Sequence, residues 1–390
     1  MAFFIEESNR LKALPPYLFV EIDRAKRKAI KKGLKVIDFG VGDPDQPTPN
    51  FILTAMQKAL KDPATHHYPL DRGYAPFRQA VSQWVHKRFG QTFNPESEIL
   101  PLIGSKEGIA HLPLALINPG DVALIPDPCY PPYKSGTGFA GGEGVLLPLK
   151  EEDNFLPDFE SVPSEILRKS KIIFVNYPNN PTGATAPRVF YEKLVKWAAS
   201  NQVLIASDLA YSEIYFGKEK PLSIFEIPGA REVAIEFHSL SKTCNMAGWR
   251  VGFAIGREEV ITALLKVKAN VDSGVFTAIQ KASIEALKNS FKFSKETNRL
   301  YRRRRDLLVS GLRELGFPVK NVEASLYVFT RLPKGHKDST VFCKDLLEKT
   351  GIVATPGVGF GAAGEGYVRF ALAVAEPEIR EAIARMRKIF

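Results

Sequence analysis

Cysteine is scarce in this chain, with three in 390 residues, at Cys129, Cys244 and Cys343. They form no C-x-x-C and cannot all pair, which argues for a reduced, intracellular protein. Long apolar runs are missing too, since none approaches the ~20 residues that cross a bilayer. The opening Met1-Ala2-Phe3-Phe4-Ile5-Glu6-Glu7 has no basic stretch and turns acidic at once, unlike a secretory signal. These absences predict a cytoplasmic protein without a membrane role. Charge of one sign is not concentrated either: 53 basic against 43 acidic residues leave a net +10. That excess favours acidic small molecules slightly and does not argue for nucleic acid. The six histidines show no metal spacing with cysteine or carboxylates, so no metal is expected.

Nucleotide-binding loops are lacking as well. The Gly217-Lys218 pair is followed by Glu219, so there is no Walker A loop. Gly136–Gly141 and Gly359–Gly364 both satisfy G-x-G-x-x-G, but each precedes a strand-like run, Val145–Leu149 and Tyr367–Leu372. A dinucleotide fingerprint has to close a strand and open a helix. Nicotinamide and ATP chemistry are therefore disfavoured.

A hydrophobic content of 45% with 11% aromatics fits a protein with a sizeable core. Val122–Ile125, Lys171–Val175, Val203–Ala206, Val233–Phe237 and Val251–Ile255 read as strands, and Arg188–Ala199 as a helix between two of them. Such alternation predicts an α/β fold, a mainly parallel sheet covered by helices on both faces. From about Phe291 the pattern changes to a long charged helix, short strands (Ser325–Thr330, Tyr367–Ala373) and helices at Thr340–Lys349 and Glu376–Ile389. The expected organisation is a large domain over residues 41–290 and a small α+β domain over 291–390, joined by residues 1–40. The basic run Arg302–Arg305 reads as the wet face of an amphipathic helix.

Ligands in open α/β sheets bind beyond the carboxyl ends of the strands. Three consecutive strand ends here deliver Asn180, then Asp208 with Tyr211, then Lys242 toward one rim. Tyr211 falls on the side of Asp208 if Leu209–Ile214 begins a helix. Lys242 closes an apolar run among Ser239 and Ser241, with Arg250 eight positions on. Burial lowers a lysine's pKa and makes its amine nucleophilic, suited to a Schiff base with a phosphate-bearing aldehyde. The hydroxyls and the guanidinium are donors for a phosphate. Taken alone, the tetrapeptide reads better as an ordinary loop lysine; the rest of the chain is what favours the Schiff base. Gly104-Ser105-Lys106-Glu107-Gly108 opens the helical stretch Ile109–Ile117, either as a phosphate seat or as a plain N-cap formed by Ser105. Asp208 is either a turn acid or the partner of a protonated pyridine nitrogen, while Tyr211 and Asn180 could meet a phenolate. Arg369, set in Tyr367–Leu372, is either half of a structural salt bridge or a bidentate clamp for a carboxylate.

Together these residues resemble the fold-type I pyridoxal-phosphate aminotransferases of class I/II, related to aspartate aminotransferase. The likeness runs from Gly40-Val41-Gly42-Asp43-Pro44 to Arg369 and carries four motifs of that family. They are N-P-T-G at Asn180–Gly183, D-x-x-Y at Asp208–Tyr211, S-x-S-K at Ser239–Lys242 and G-x-R-x-G at Gly248–Gly252. Within the family, Pro15–Ile22 and Gly104–His111 look most like the LL-diaminopimelate aminotransferases. One departure is Ser273-Gly274, where some members carry an asparagine near the substrate.

The resemblance implies a large domain with a seven-stranded type of sheet, a smaller α+β domain, and pyridoxal 5'-phosphate held on Lys242. It implies that Ser105, Lys106, Ser239, Ser241 and Arg250 hold the phosphate, with Tyr68 of a neighbouring subunit, hence a homodimer. It implies further that Tyr130 stacks on the cofactor ring, that Tyr17, Gly42, Lys106, Tyr130 and Asn180 touch substrate, and that Arg369 binds its α-carboxylate. The substrates would be an amino acid and a 2-oxo acid in turn, giving ping-pong transamination in lysine biosynthesis. The rival outcomes on the same fold are an aminotransferase for aspartate, alanine or aromatic substrates, and a cystathionine-type C–S lyase. A cofactor-bearing regulatory domain is disfavoured, since no helical DNA-binding module is expected before Gly40.

Overall fold

The computed structural model describes residues 5–14, 18–69 and 72–389, with the backbone alone at Leu18 and Phe19. Tyr17, Leu70 and Asp71 lie outside the described residues.

Among the described residues, twelve short strands appear in chain order. They are β1 (Ile37–Asp38), β2 (Ile99–Leu102), β3 (Val122–Asp127), β4 (Glu143–Pro148), β5 (Ser170–Val175), β6 (Leu204–Asp208), β7 (Ala234–Ser239), β8 (Gly252–Gly256), β9 (Tyr327–Arg331), β10 (Ile352–Val353), β11 (Thr355–Pro356) and β12 (Tyr367–Ala371). Seven of them form one sheet in the order β2-β8-β7-β6-β5-β3-β4. Neighbours from β7 through β4 pair in parallel, and β8 runs antiparallel to both β7 and β2.

Why these segments form strands is visible in how they are buried. Along β5, Ile173 and Val175 enter one apolar cluster while Ile172 and Phe174 enter another on the opposite face. Side chains alternate with a period of two, so a strand covered on both faces must be apolar at every position. The helix Arg188–Asn201 covers one face with Phe190, Leu194 and Val195. The helices Ser105–Leu116 and Glu258–Val271 cover the other with Ile109, Leu112, Ile261 and Leu264.

A third cluster gathers around the antiparallel sheet β11-β12-β9 and includes Val328, Phe370, Leu308, Leu312 and Ile379. Ile37 and Phe39 belong to it, and β1 pairs in parallel with β10. The long helix Thr277–Glu314 runs from one core to the next, contributing Ala282, Ala286 and Leu287 to the first and Tyr301, Leu308 and Leu312 to this one. The 290/291 boundary therefore falls inside a continuous helix, and the change of core lies between Leu287 and Tyr301.

Two local expectations are corrected. Leu209–Ile214 is a run of turns rather than a helix. Arg304 does not line the wet face: it is 2% exposed and grips Asp45 with two N–H groups, at 2.7 and 2.8 Å. The three cysteines are buried and unpaired. Among the described residues, no helix is long and apolar enough to cross a membrane.

Candidate active site

The carboxyl ends of β5, β6 and β7 open onto a cavity of about 480 Å³ between the large sheet and the β11-β12-β9 sheet. Gly42, Ser105, Lys106, Tyr130, Asn180, Asp208, Tyr211, Ser239, Ser241, Lys242, Arg250 and Arg369 all line it. Of the described candidates only Tyr68 is apart, at 91% exposed on the surface.

The lysine rides on a single helical turn, Leu240–Thr243, whose first amide groups are capped by Ser239 Oγ, which accepts from Ser241 N at 3.3 Å. Lys242 is partly exposed because it lines an open cavity, and its Nζ donates to the Gly42 carbonyl at 2.5 Å. Burial is the first cause that pushes its pKa below the usual lysine range. Arg369 and Arg250 push the same way, while Tyr327 and Asp43 oppose.

Asp208 ends β6 and is buried. Burial raises its pKa to about 6, against the opposing hydrogen bonds from Tyr133 and the Ala210 amide and the charge of His238. The Tyr133 hydroxyl donates to Oδ2 at 2.8 Å and the Ala210 amide to Oδ1 at 3.3 Å. Asn176 Nδ2 donates to the Asp208 carbonyl at 2.7 Å and Asn176 Oδ1 accepts from the Asn180 amide at 2.7 Å. Asn176 thus ties the ends of β5 and β6 together.

One corner of the cavity is built to receive an anion. Gly104, at φ +73°, takes the N-cap position of the helix Ser105–Leu116, and Ser105 is its first residue. Ser105 is therefore no capping residue, and its hydroxyl belongs to the cavity. A Cβ on Gly104 would come within 2.4 Å of Arg250 Nη2, so the absent side chain is what lets the guanidinium approach this helix end. Helix N–H groups, three serine hydroxyls, Lys106 and Arg250 form a donor set suited to a phosphate dianion. The acid nearest in sequence, Glu107, faces elsewhere, accepting from Ile103 N and Lys268 Nζ and pairing with His111. Glu107, His111 and Asp272 could together hold a metal ion, but the Lys268 ammonium sits among them, bonded to Glu107 at 3.1 Å and Asp272 at 2.8 Å.

The facing wall comes from the second core. Arg369 is 2% exposed and donates to Asn180 Oδ1 at 2.8 Å and to the Gly40 carbonyl at 2.7 Å. Both of these acceptors are uncharged. Tyr327 lies under the guanidinium, 4.2 Å from it to the ring centroid, and exchanges a hydrogen bond with the Tyr211 hydroxyl at 2.9 Å. A Cβ on Gly42 would fall 2.1 Å from the Tyr327 hydroxyl, so only glycine fits there.

Sequence reasoning missed Tyr133, Tyr327, Asn176 and Asp43. Tyr133 had a readable signal, its i, i+3 spacing from Tyr130 at the start of the helix Pro132–Phe139. Tyr327 had none, because a tyrosine at the head of a β-rich run looks like core.

A half-buried lysine amine, a carboxylate on the adjacent strand, an anion seat and a buried arginine in one cavity fit an aldehyde-cofactor enzyme acting on amino acids. The chain belongs to the aminotransferase class I and II family, whose model matches residues 34–386. Members of that family depend generally on pyridoxal 5'-phosphate. Along its whole length the chain is 51% identical to the LL-diaminopimelate aminotransferase of Syntrophobacter fumaroxidans, with 100% of each covered. Substrate-bound BacF from Bacillus subtilis superposes with a TM-score of 0.95 at 35% identity, covering 99% of this chain and 98% of that one. A single mutant of Thermus thermophilus aspartate aminotransferase gives 0.93 at 30% identity, covering 99% and 100%, so the fold is aspartate-aminotransferase-like.

Proposed function

We propose that the chain is an LL-diaminopimelate:2-oxoglutarate aminotransferase of lysine biosynthesis, working with pyridoxal 5'-phosphate held on Lys242. The observation that carries the chemistry is the meeting of Lys242, Asp208, the anion seat and Arg369 in one cavity. The substrate rests on the full-length likeness to aminotransferases of that name. When bound, the cofactor supplies the electron sink that stabilises negative charge at the substrate's α-carbon.

In this reading Ser105, Lys106, Ser239, Ser241 and Arg250 grip the phosphate, joined by Tyr68 of a neighbouring subunit. The exposure of Tyr68 supports that placement, and with it a homodimer. Tyr130 would pack on the ring face, Asn180 and Tyr211 would hydrogen-bond its phenolate oxygen, and Asp208 would hold the proton on its nitrogen. Arg369 would receive the α-carboxylate as a bidentate donor, and Gly42 and Tyr17 would touch substrate. Its contact with Asn180 links the carboxylate clamp to the cofactor side. Lys242, with its pKa lowered by burial, would carry the proton taken from the α-carbon. Amino donor and oxo acceptor use the one site in turn. The large and small domains divide along the helix Thr277–Glu314, where its buried residues pass from one core to the other.

A donor–acceptor panel tests the substrate. Transfer from LL-diaminopimelate to 2-oxoglutarate should exceed transfer from meso-diaminopimelate, aspartate or alanine. No transfer from the LL isomer would eliminate the assignment, and release of pyruvate and ammonia from cystathionine would move it to the lyases. Gel filtration should give a dimer; full activity of a strict monomer would remove Tyr68 from the site.

A further inference from the structure

We propose that Tyr133 is a positioning residue for the ring-nitrogen end of the site, its hydroxyl donating to Asp208 and holding that carboxylate in its ionised form. The contact is independent of any ligand; its catalytic consequence rests on the cofactor reading above.

A carboxylate buried on a strand end pays a desolvation cost and drifts toward its neutral acid. Something has to oppose that drift if Asp208 is to face a cationic ring nitrogen. Asn176 is spent on the Asp208 backbone carbonyl. The Ala210 amide reaches Oδ1 only at 3.3 Å. Among the described residues, the one side-chain hydrogen bond to the carboxylate comes from Tyr133, at 2.8 Å. The other titratable groups around Asp208 are His238 on β7, Tyr211 in the following turns, and Lys242 and Tyr130 on the cavity wall.

Tyr133 is held so that it can only be a donor in this role. It is fully buried, its ring stacks on Phe174 of β5 with centroids 4.8 Å apart and planes 11° from parallel, and Thr137 Oγ1 donates to its carbonyl at 2.8 Å. Burial, then the nearby Asp208 charge, push its hydroxyl pKa well above the ordinary tyrosine value. A phenol that cannot ionise keeps its proton for the acceptor at every working pH. Tyr130, three positions earlier, lines the cavity with its ring edge-on to Tyr133 at 5.9 Å. One short segment therefore sends one ring to the cavity and one hydroxyl beneath it.

The test is Tyr133→Phe, which keeps the stack on Phe174 and deletes the donor. In the full-length protein without cofactor, the Asp208 carboxyl is followed by ¹³C NMR. The wild-type midpoint should lie near 6, and the variant's should rise by about one pH unit, a roughly tenfold gain in proton affinity. With cofactor, the acid limb of kcat should move up by a similar amount, while kcat on the alkaline side stays within about threefold of wild type. An unchanged carboxyl midpoint would overturn the proposal. In an Asp208→Asn background the same substitution should leave the acid limb where it is. An equal kcat loss in both backgrounds would mean that Tyr133 acts through packing alone, and would also overturn it. Because the carboxyl titration needs neither substrate nor cofactor, its result stands apart from the substrate panel.

Discussion

The two walls of the cavity are built in different ways. On the wall made by the large sheet, the functional groups sit close to strand ends, and part of their support is local. Ser239 caps the turn that carries Lys242, and Asn176 bonds to the neighbouring strand's Asp208 and to Asn180 four residues on. On the facing wall every support is long-range. Arg369 bonds to Gly40 across 329 residues and to Asn180 across 189, and Tyr327 bonds to Tyr211 across 116. The first wall exists once parallel strands pair, whereas the second exists only once two cores have docked. Chemistry on the cofactor wall should therefore be separable from affinity on the substrate wall.

The harshest way to break that division is Lys242→Ala. It should lower turnover by roughly 10⁴-fold or more and abolish the visible absorbance of the loaded enzyme, checked by spectrum and steady-state rate. Near-normal rates would remove Lys242 from the chemistry. A sharper probe is Arg369→Lys, which keeps the charge and loses the planar fork. Losing a charge-assisted bidentate contact should cut kcat/KM for amino acids by about 10- to 150-fold, mainly through KM, with the cofactor spectrum unchanged. If cofactor affinity falls in parallel, the walls are not separable, and the Arg369–Asn180 bond at 2.8 Å is the route by which they couple.

The same division explains what could be read from the chain. Asn180, Asp208, Tyr211 and Lys242 were legible because a strand end delivers consecutive residues, and consecutive residues make a motif. Tyr327 was not, since its partners belong to other elements, and Asn176, although it directly follows β5, carries no charge or motif of its own to mark it. Arg304 was misread for a different reason. Four successive helical residues at Arg302–Arg305 sweep about 300° around the axis, so they cannot all face water, and Arg304 is the one turned inward against Asp45. The long helix was placed from Phe291 because its first half buries small residues, Ala278, Ala282 and Ala286, which leave a weak apolar stripe. Tyr211 reached its place although Leu209–Ile214 is no helix, because the turns after β6 and the bond to Tyr327 aim it instead.

The mildest test concerns the segment that joins the walls. Residues 40–48 offer the Gly40 carbonyl to Arg369 and the Gly42 carbonyl to Lys242, and Thr48 Oγ1 donates to the Asn245 carbonyl at 2.7 Å. Between these ties Asp45 accepts both Arg304 N–H groups, and Arg304 Nη1 also donates to the Leu372 carbonyl at 3.1 Å. Burial is the largest influence on Asp45 and tends to raise its pKa, but the hydrogen bonds from Arg304 and Gln46 and the Arg304 charge together outweigh it and leave the carboxyl below its usual range. A depressed carboxyl pKa stabilises the fold above the unfolded value near 3.8, and that contribution is lost as pH falls through the folded value. Asp45→Asn should therefore destabilise by about 1–2 kcal/mol at pH 7, since Asp45 keeps some solvent while Arg304 is left buried with a weaker acceptor. The gap to wild type, measured by thermal unfolding, should narrow as pH drops below the unfolded value near 3.8. KM for the amino donor should rise only a few-fold (a change of roughly 1 kcal/mol), because Gly42 keeps its other ties, and the cofactor spectrum should not move. Equal melting temperatures at pH 7 would mean that the segment is held by Thr48 and the Gly40 and Gly42 carbonyls alone.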